Sequence, residues 1–120
     1  MNDMKNIIRL PARALSDDQA VELADMFRFL GDPSRLRIVL ACLNEPISVG
    51  AIATRLGLSP SLVSHHLRLL RAARLLRAER RGKQVFYAVA DEHIRCVIVD
   101  MVAHVGEPSE PSEASVEDET

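Results

Sequence analysis

Asp91-x-His93, ten residues, then His104-x-x-Glu107 is the pattern that most restricts this 120-residue chain. It places four zinc-competent side chains at the two ends of a stretch that reads as one helix. At about 100° and 1.5 Å per residue, the eleven steps from His93 to His104 return to nearly the same face but rise roughly 16 Å. Zinc–nitrogen bonds are about 2 Å long, so one ion cannot join the two ends within a single chain. Two copies of the helix laid antiparallel about a two-fold axis bring Asp91 and His93 of one to His104 and Glu107 of the other. The midpoint of 93 and 104 is 98.5 and that of 91 and 107 is 99, so one axis near Ile98–Val99 serves both pairs. Taken singly, Asp91 is an ordinary N-cap and either histidine an ordinary solvated residue. The matched symmetry of all four predicts instead a homodimer with two metal sites across its interface. Gly106 and Pro108 flank Glu107, so the helix should end just before it, leaving Glu107 the ligand with the least defined geometry.

A chain of this length with 48% apolar residues makes one small domain with a limited core, for which burial against a second copy is a natural supplement. Its apolar runs are too short to cross a bilayer and no signal-peptide pattern opens it, so a cytoplasmic protein is expected. Cys42 and Cys96 lack CxxC spacing and stand in apolar helical contexts, which predicts two buried free thiols.

The net charge of −2 conceals segregation. Residues 107–120 carry six acidic and no basic groups, leaving residues 1–106 with fifteen basic against eleven acidic, a net of +4. Between 55 and 83 eight basic residues face only Glu79, the footprint of a polyanion-binding surface. The Pro/Ser/Glu-rich segment 108–120 is expected to be disordered, to hold no metal ligand and to compete with DNA at most weakly.

Along the chain, residues 1–15 form a weakly specified, flexible arm. Ser16-Asp17-Asp18-Gln19 is a capping box for a helix with Val21, Leu23, Ala24, Phe27 and Leu30 at helical spacing, stopped by Gly31. Asp32-Pro33 opens a second helix through Leu36, Ile38, Val39 and Leu43 that ends near Asn44-Glu45-Pro46. Ser48 caps a short third helix, Val49 to Leu56, ended by Gly57. Ser59-Pro60 starts a fourth that reaches about Arg74, with Leu62, Val63, Leu67, Leu69 and Leu70 as packing positions. The third and fourth make a helix-turn-helix. Beyond Leu75 the period falls to two, and residues 76–80 and 84–89 flank the turn Arg81-Gly82-Lys83 as a β-hairpin with a basic tip. The fold class is therefore mainly α with a β-hairpin wing, a homodimeric winged helix-turn-helix over residues 16–107. Ser59, Ser61, Ser64, His65 and His66 would enter a major groove, Arg68 and Arg71 would face phosphates, and Arg81 and Lys83 on the wing would reach the flanking backbone or minor groove.

Leu30-Gly31-Asp32-Pro33-Ser34-Arg35-Leu36-Arg37-Ile38, Ser64-His65-His66-Leu67, the Arg81-Gly82-Lys83 wing and the terminal Asp/His/His/Glu set together resemble the ArsR/SmtB family of bacterial metal-responsive repressors, over roughly residues 20–107. The resemblance implies a homodimer bound to double-stranded operator DNA of dyad symmetry when metal-free and released by metal. It implies ligands at Asp91, His93, His104 and Glu107, DNA contacts at Ser61, Ser64, His65 and His66, and a bond from the free ring nitrogen of His104 to the main chain near Arg74-Leu75. Family members that sense soft metals carry cysteines on the third helix, where this chain has Ser48-Val49-Gly50-Ala51. Nickel and cobalt sensors draw further histidines from their termini, and neither terminus here has one. Two imidazoles and two carboxylates suit tetrahedral Zn(II), with Co(II) as a competent mimic. The alternatives are a nickel or cobalt sensor and a thiol-based redox repressor using Cys42 and Cys96. A hydrolytic enzyme is not expected, since four protein ligands close the coordination shell, no separate general base is apparent, and no small organic substrate is implied.

Overall fold

The structure, a computed structural model, describes Leu10 and residues 14–108. The expectations for the arm and the acidic tail fall, apart from Leu10, Ala14, Leu15 and Pro108, outside the described residues. Helix α1 runs Asp17–Leu30 behind the capping box: Ser16 Oγ accepts the Gln19 amide at 3.1 Å and Gln19 Oε1 accepts the Ser16 amide at 3.0 Å. Helix α2, Pro33–Ala41, starts where Asp32 Oδ2 takes the Arg35 amide at 3.0 Å. It stops two residues before Leu43, because Cys42 and Leu43 close i→i+3 bonds to Val39 and Leu40 that tighten the last turn. Strand β1, Ile47–Ser48, is an element that the sequence pattern did not reveal.

Helix α3, Val49–Leu56, ends on Gly57 at φ +69°, a left-handed position where a β-carbon is disfavoured. Helix α4, Pro60–Ala72, is capped by Ser59 Oγ on the Leu62 amide at 3.2 Å. Its exit is unusual, because Arg74 takes up φ +65° while the Leu75 amide reaches back to the Leu70 carbonyl at 2.9 Å. This is the left-handed turn that glycine usually supplies, at a cost of about 1–2 kcal/mol for a residue with a side chain. It turns the chain straight into the hairpin of β2 (Leu76–Arg81) and β3 (Gln84–Val89). Arg81 pairs with Gln84, so the turn is two residues, with Gly82 first and at φ +64°. The antiparallel sheet has the order β1-β3-β2, with Ile47 opposite Tyr87. Helix α5, Glu92–Gly106, closes the described chain.

Ile38, Val39, Ile52, Val63, Leu67, Leu70, Leu75 and Val89 form the core between α2, α3, α4 and the root of the hairpin. On α4 two expectations change: Leu62 is exposed, and His66 takes an inward position instead. Neither α1 nor α5 shares this density. No residue of α1 is buried, and on α5 only Ile98 is.

Candidate nucleic-acid interface and metal-ligand positions

The outward face of α4 carries Ser61, His65 and Arg68 at i, i+4 and i+7, all exposed, with Ser59 at the N-cap and Arg71 one turn on. A helix N-terminus with small polar side chains suits a phosphate backbone and a groove floor. Ser64 is half-buried at the edge of this face. His66 differs from its expected role, because it stands between Val63, Leu67 and Leu70 on the buried side of the helix, 100° round from His65 in helical geometry. Its Nδ1 is enclosed and has no hydrogen-bond partner among the described residues. Burial, reinforced by the positive charge of Arg35, pushes the His66 pKa below the usual histidine value, so the ring is neutral at physiological pH.

The wing is partly self-neutralised. Glu79 holds Arg77 at 2.8 Å and Arg81 at 2.6 Å, and the Arg81 guanidinium also lies 4.8 Å from the centre of the Phe86 ring. Hydrogen bonds from Arg77 and then Arg81 hold the Glu79 carboxyl below the usual carboxylate range. Arg81 is therefore engaged within the hairpin, while exposed Arg80 and Lys83 have no carboxylate partner among the described residues. Arg80 is a further candidate contact that the wing motif does not mark, although strand alternation points it and Arg81 to opposite faces. Glu79→Gln should tighten binding to duplex DNA by about fivefold at low salt and steepen its salt dependence, as two guanidinium groups per subunit become free for phosphates. Anisotropy titrations at several salt concentrations check this, and unchanged affinity would show that these arginines do not face DNA.

Asp91 is the N-cap of α5, and its Oδ1 accepts the Ile94 amide at 3.1 Å. That bond is the main reason its carboxyl lies below the usual range, with the neighbouring His93 adding to it. His93 Nδ1 lies 3.6 Å from the same oxygen and its side chain is 94% exposed. His104 is exposed in the last turn, and Glu107 stands just outside the helix in an extended conformation, φ −80° and ψ 147°, with its amide bonded to the His104 carbonyl at 3.1 Å. Helix α5 is continuous from Glu92 to Gly106, so the two pairs remain at opposite ends of a rod. Among the described residues no group of three or more His, Cys, Asp or Glu in one chain could hold a metal ion. Arg74 and His93 line one pocket at the N-terminal end of α5, remote from His104 in the same chain, so the implied His104 link to Arg74 also requires a second chain.

Between these ends α5 presents an uncovered apolar stripe. Phe27, Leu30, Leu36, Leu40, Val97, Met101, Val102 and Val105 line a groove of about 410 Å³, with Ile98 at its floor. Met101 is 55% and Phe27 58% exposed, an arrangement that single chains rarely leave to water. In helical geometry His93 and His104 fall about 40° and 20° from Val97, at the margin of the stripe. Of the two cysteines, Cys42 is fully buried as expected, whereas Cys96 is exposed, because it lies on the side of α5 away from Ile98.

These features define a winged helix-turn-helix DNA-binding protein. The family model for bacterial regulatory proteins of the arsR family matches residues 32–78. The chain is 35% identical to the transcriptional repressor SmtB homolog of Synechocystis over 104 residues, 87% of this chain and 79% of the relative. It is 42% identical to the HTH-type transcriptional regulator CmtR of Mycobacterium bovis over 80 residues, 67% of this chain and 68% of the relative. Among solved structures it resembles the homodimeric winged helix-turn-helix DNA-binding domain of Mb0332 from Mycobacterium bovis, with a TM-score of 0.66 and 28% identity over 77% of this chain and 90% of that one. The chain belongs to the ArsR family of bacterial regulatory proteins. It is a transcriptional regulator and not an enzyme.

Proposed function

We propose that this protein is a metal-sensing repressor that binds dyad-symmetric operator DNA as a homodimer when metal-free and is released by Zn(II) at inter-subunit sites. One observation carries the reading: a single unbroken helix holds Asp91 and His93 at one end and His104 and Glu107 at the other, along the margin of an uncovered apolar face. A second copy laid antiparallel covers that face and completes both ligand sets at once, in keeping with the homodimeric Mb0332 domain. The donor set fits zinc, since Asp91 spends one oxygen on its capping bond and keeps the other, and both histidines are exposed. Bound metal would supply a tie between the two subunits at each end of α5. Residues 16–107 are then the DNA-binding and dimerisation unit, with an arm at 1–15 and an acidic tail at 108–120, acting in the cytoplasm where the chromosome lies. Ser59, Ser61, Ser64, His65, Arg68, Arg71 and Lys83 serve DNA, whereas His66 packs on the buried side of the helix. Arg81 joins them only when it leaves Glu79.

Against the redox alternative stands Cys42: burial raises its thiol to about 12, so it forms no thiolate at neutral pH. Titrating Zn(II), Co(II), Ni(II) and a peroxide against a dyad-containing fragment from the gene's upstream region tests the proposal. Tight metal-free binding released by zinc, and by cobalt as its mimic, is expected. Release by nickel alone or by peroxide alone would replace this reading with one of its alternatives, and no release by any agent would end it.

A further inference from the structure

A pocket of about 410 Å³ opens between the end of α4, β2 and the start of α5, lined by Arg71, Arg74 and Arg77 together with Asp91 and His93. Arg74 pairs with Glu22 of α1 and Arg77 with Glu79, but both guanidinium groups are at least half exposed, and such pairs exchange readily. Arg71 has no carboxylate partner among the described residues, although it is exposed at the pocket's edge. The pocket is thus a concave surface in which Asp91 and the two pairs offset most of the arginine charge, so an incoming anion meets Arg71 first and Arg74 and Arg77 by exchange with Glu22 and Glu79. The pocket adjoins the α4 face assigned to DNA, of which Arg71 is a member.

The same chain carries a segment of opposite sign. Residues 109–120 hold Glu110, Glu113, Glu117, Asp118 and Glu119 and no basic group. If Glu107 of one subunit meets Asp91 and His93 of its partner, the segment from Pro108 onward begins at the lip of the partner's arginine pocket. In its own subunit the same segment begins about 20 Å from that pocket, thirteen helical steps along α5. Twelve residues span up to roughly 40 Å, ample to cross the pocket. A carboxylate-rich segment tethered so close has a local concentration in the millimolar range, far above that of the same segment free in solution at the protein's own micromolar concentration.

We infer that residues 109–120 of one subunit dock on the Arg71, Arg74 and Arg77 pocket of the other and act there as a tethered competitor for the DNA backbone. The inference rests on the antiparallel pairing of α5 proposed above. Docking is read by zero-length carbodiimide coupling of the full-length Arg71→Lys protein. An amide then forms between the new amine at position 71 and a tail carboxylate, and the carbodiimide takes up the water as its urea. Position 71 joined to residues 110–119, in a species of dimer size on a denaturing gel, is expected. Coupling of the tail to Lys83 on the wing tip as often as to position 71 would overturn the pocket assignment. Competition is read by neutralising the tail in the full chain, with Glu110→Gln, Glu113→Gln, Glu117→Gln, Asp118→Asn and Glu119→Gln together. DNA affinity should rise by about tenfold at low salt, and the difference should vanish at high salt. Equal affinity at low salt would overturn the competitor role. Sedimentation of the same samples separates the two readings: a monomer overturns the paired α5, whereas a dimer with no link at position 71 overturns tail docking alone.

Discussion

His104→Ala should produce a repressor that zinc no longer releases. The side chain is exposed in the last turn of α5, and it is the main chain of His104, including the carbonyl that accepts the Glu107 amide, that takes part in the local structure. Alanine keeps that carbonyl and is the better helix former, so folding and metal-free DNA binding should survive within about twofold. Zinc binding should not. Losing an outer-shell partner typically lowers metal affinity by about 10–100-fold, and loss of a ligand from both interfacial sites should exceed that. Glu107→Ala should lose less, because Glu107 stands outside the helix and water can replace one carboxylate oxygen. Zinc titrations of both variants on operator DNA, followed by fluorescence anisotropy, check the order. If His104→Ala is released at the wild-type zinc concentration, the interfacial site is wrong.

Release follows from linkage. A metal changes DNA affinity only by binding one dimer conformation better than the other, and couplings of this kind amount to about 1–3 kcal/mol. In the proposed dimer, a metal that tied the ends of the two α5 helices would fix how the subunits are rotated, and with it the separation of the two α4 helices, which has to match successive major grooves about 34 Å apart. The route from α5 to α4 is short in this fold. Asp91 and His93 share a pocket with Arg71 and Arg74, and Arg74 is the left-handed residue at which α4 turns into the wing.

The caps made most of this architecture legible. Ser16, Asp32, Ser48, Ser59 and Asp91 each start a helix, and each side chain accepts an amide three residues on. What the sequence concealed follows from three causes. Strand β1 is two residues long, too short for alternation to show, and exists because β3 offers it a partner. His66 shares with His65 the motif that the family resemblance places at DNA, yet the 100° step between adjacent helical residues sends one outward and the other in. Cys96 stands in an apolar stretch of α5, but its place on the turn puts it on the side of the helix away from Ile98, and so the thiol remains exposed. The same exposure makes α1 misleading, since Val21, Leu23 and Phe27 have helical spacing without burial. Spacing reveals an apolar stripe, but it does not reveal whether the stripe meets its own chain or another.

Met101→Glu settles that question, and it should break the dimer. Met101 is 55% exposed in one chain and lines the groove between α5 and α1, so a carboxylate there leaves the protomer core intact. In the paired state two such carboxylates per dimer would enter apolar surroundings near the two-fold axis. An uncompensated buried charge costs several kcal/mol, so two would weaken association by roughly 5 kcal/mol, about four decades in Kd. A dimer stable at micromolar concentration should become monomeric with an unchanged circular dichroism spectrum. Its affinity for a dyad operator should collapse, because each half-site then binds one winged helix with no tethered second. Val99→Glu places the same charge two residues away on an exposed position that does not line the groove, and it should leave the dimer whole. Sedimentation of the two variants side by side decides the matter. A Met101→Glu protein that remains dimeric would mean that the apolar face of α5 is covered by something other than a second copy, and the inter-subunit metal sites would fall with it.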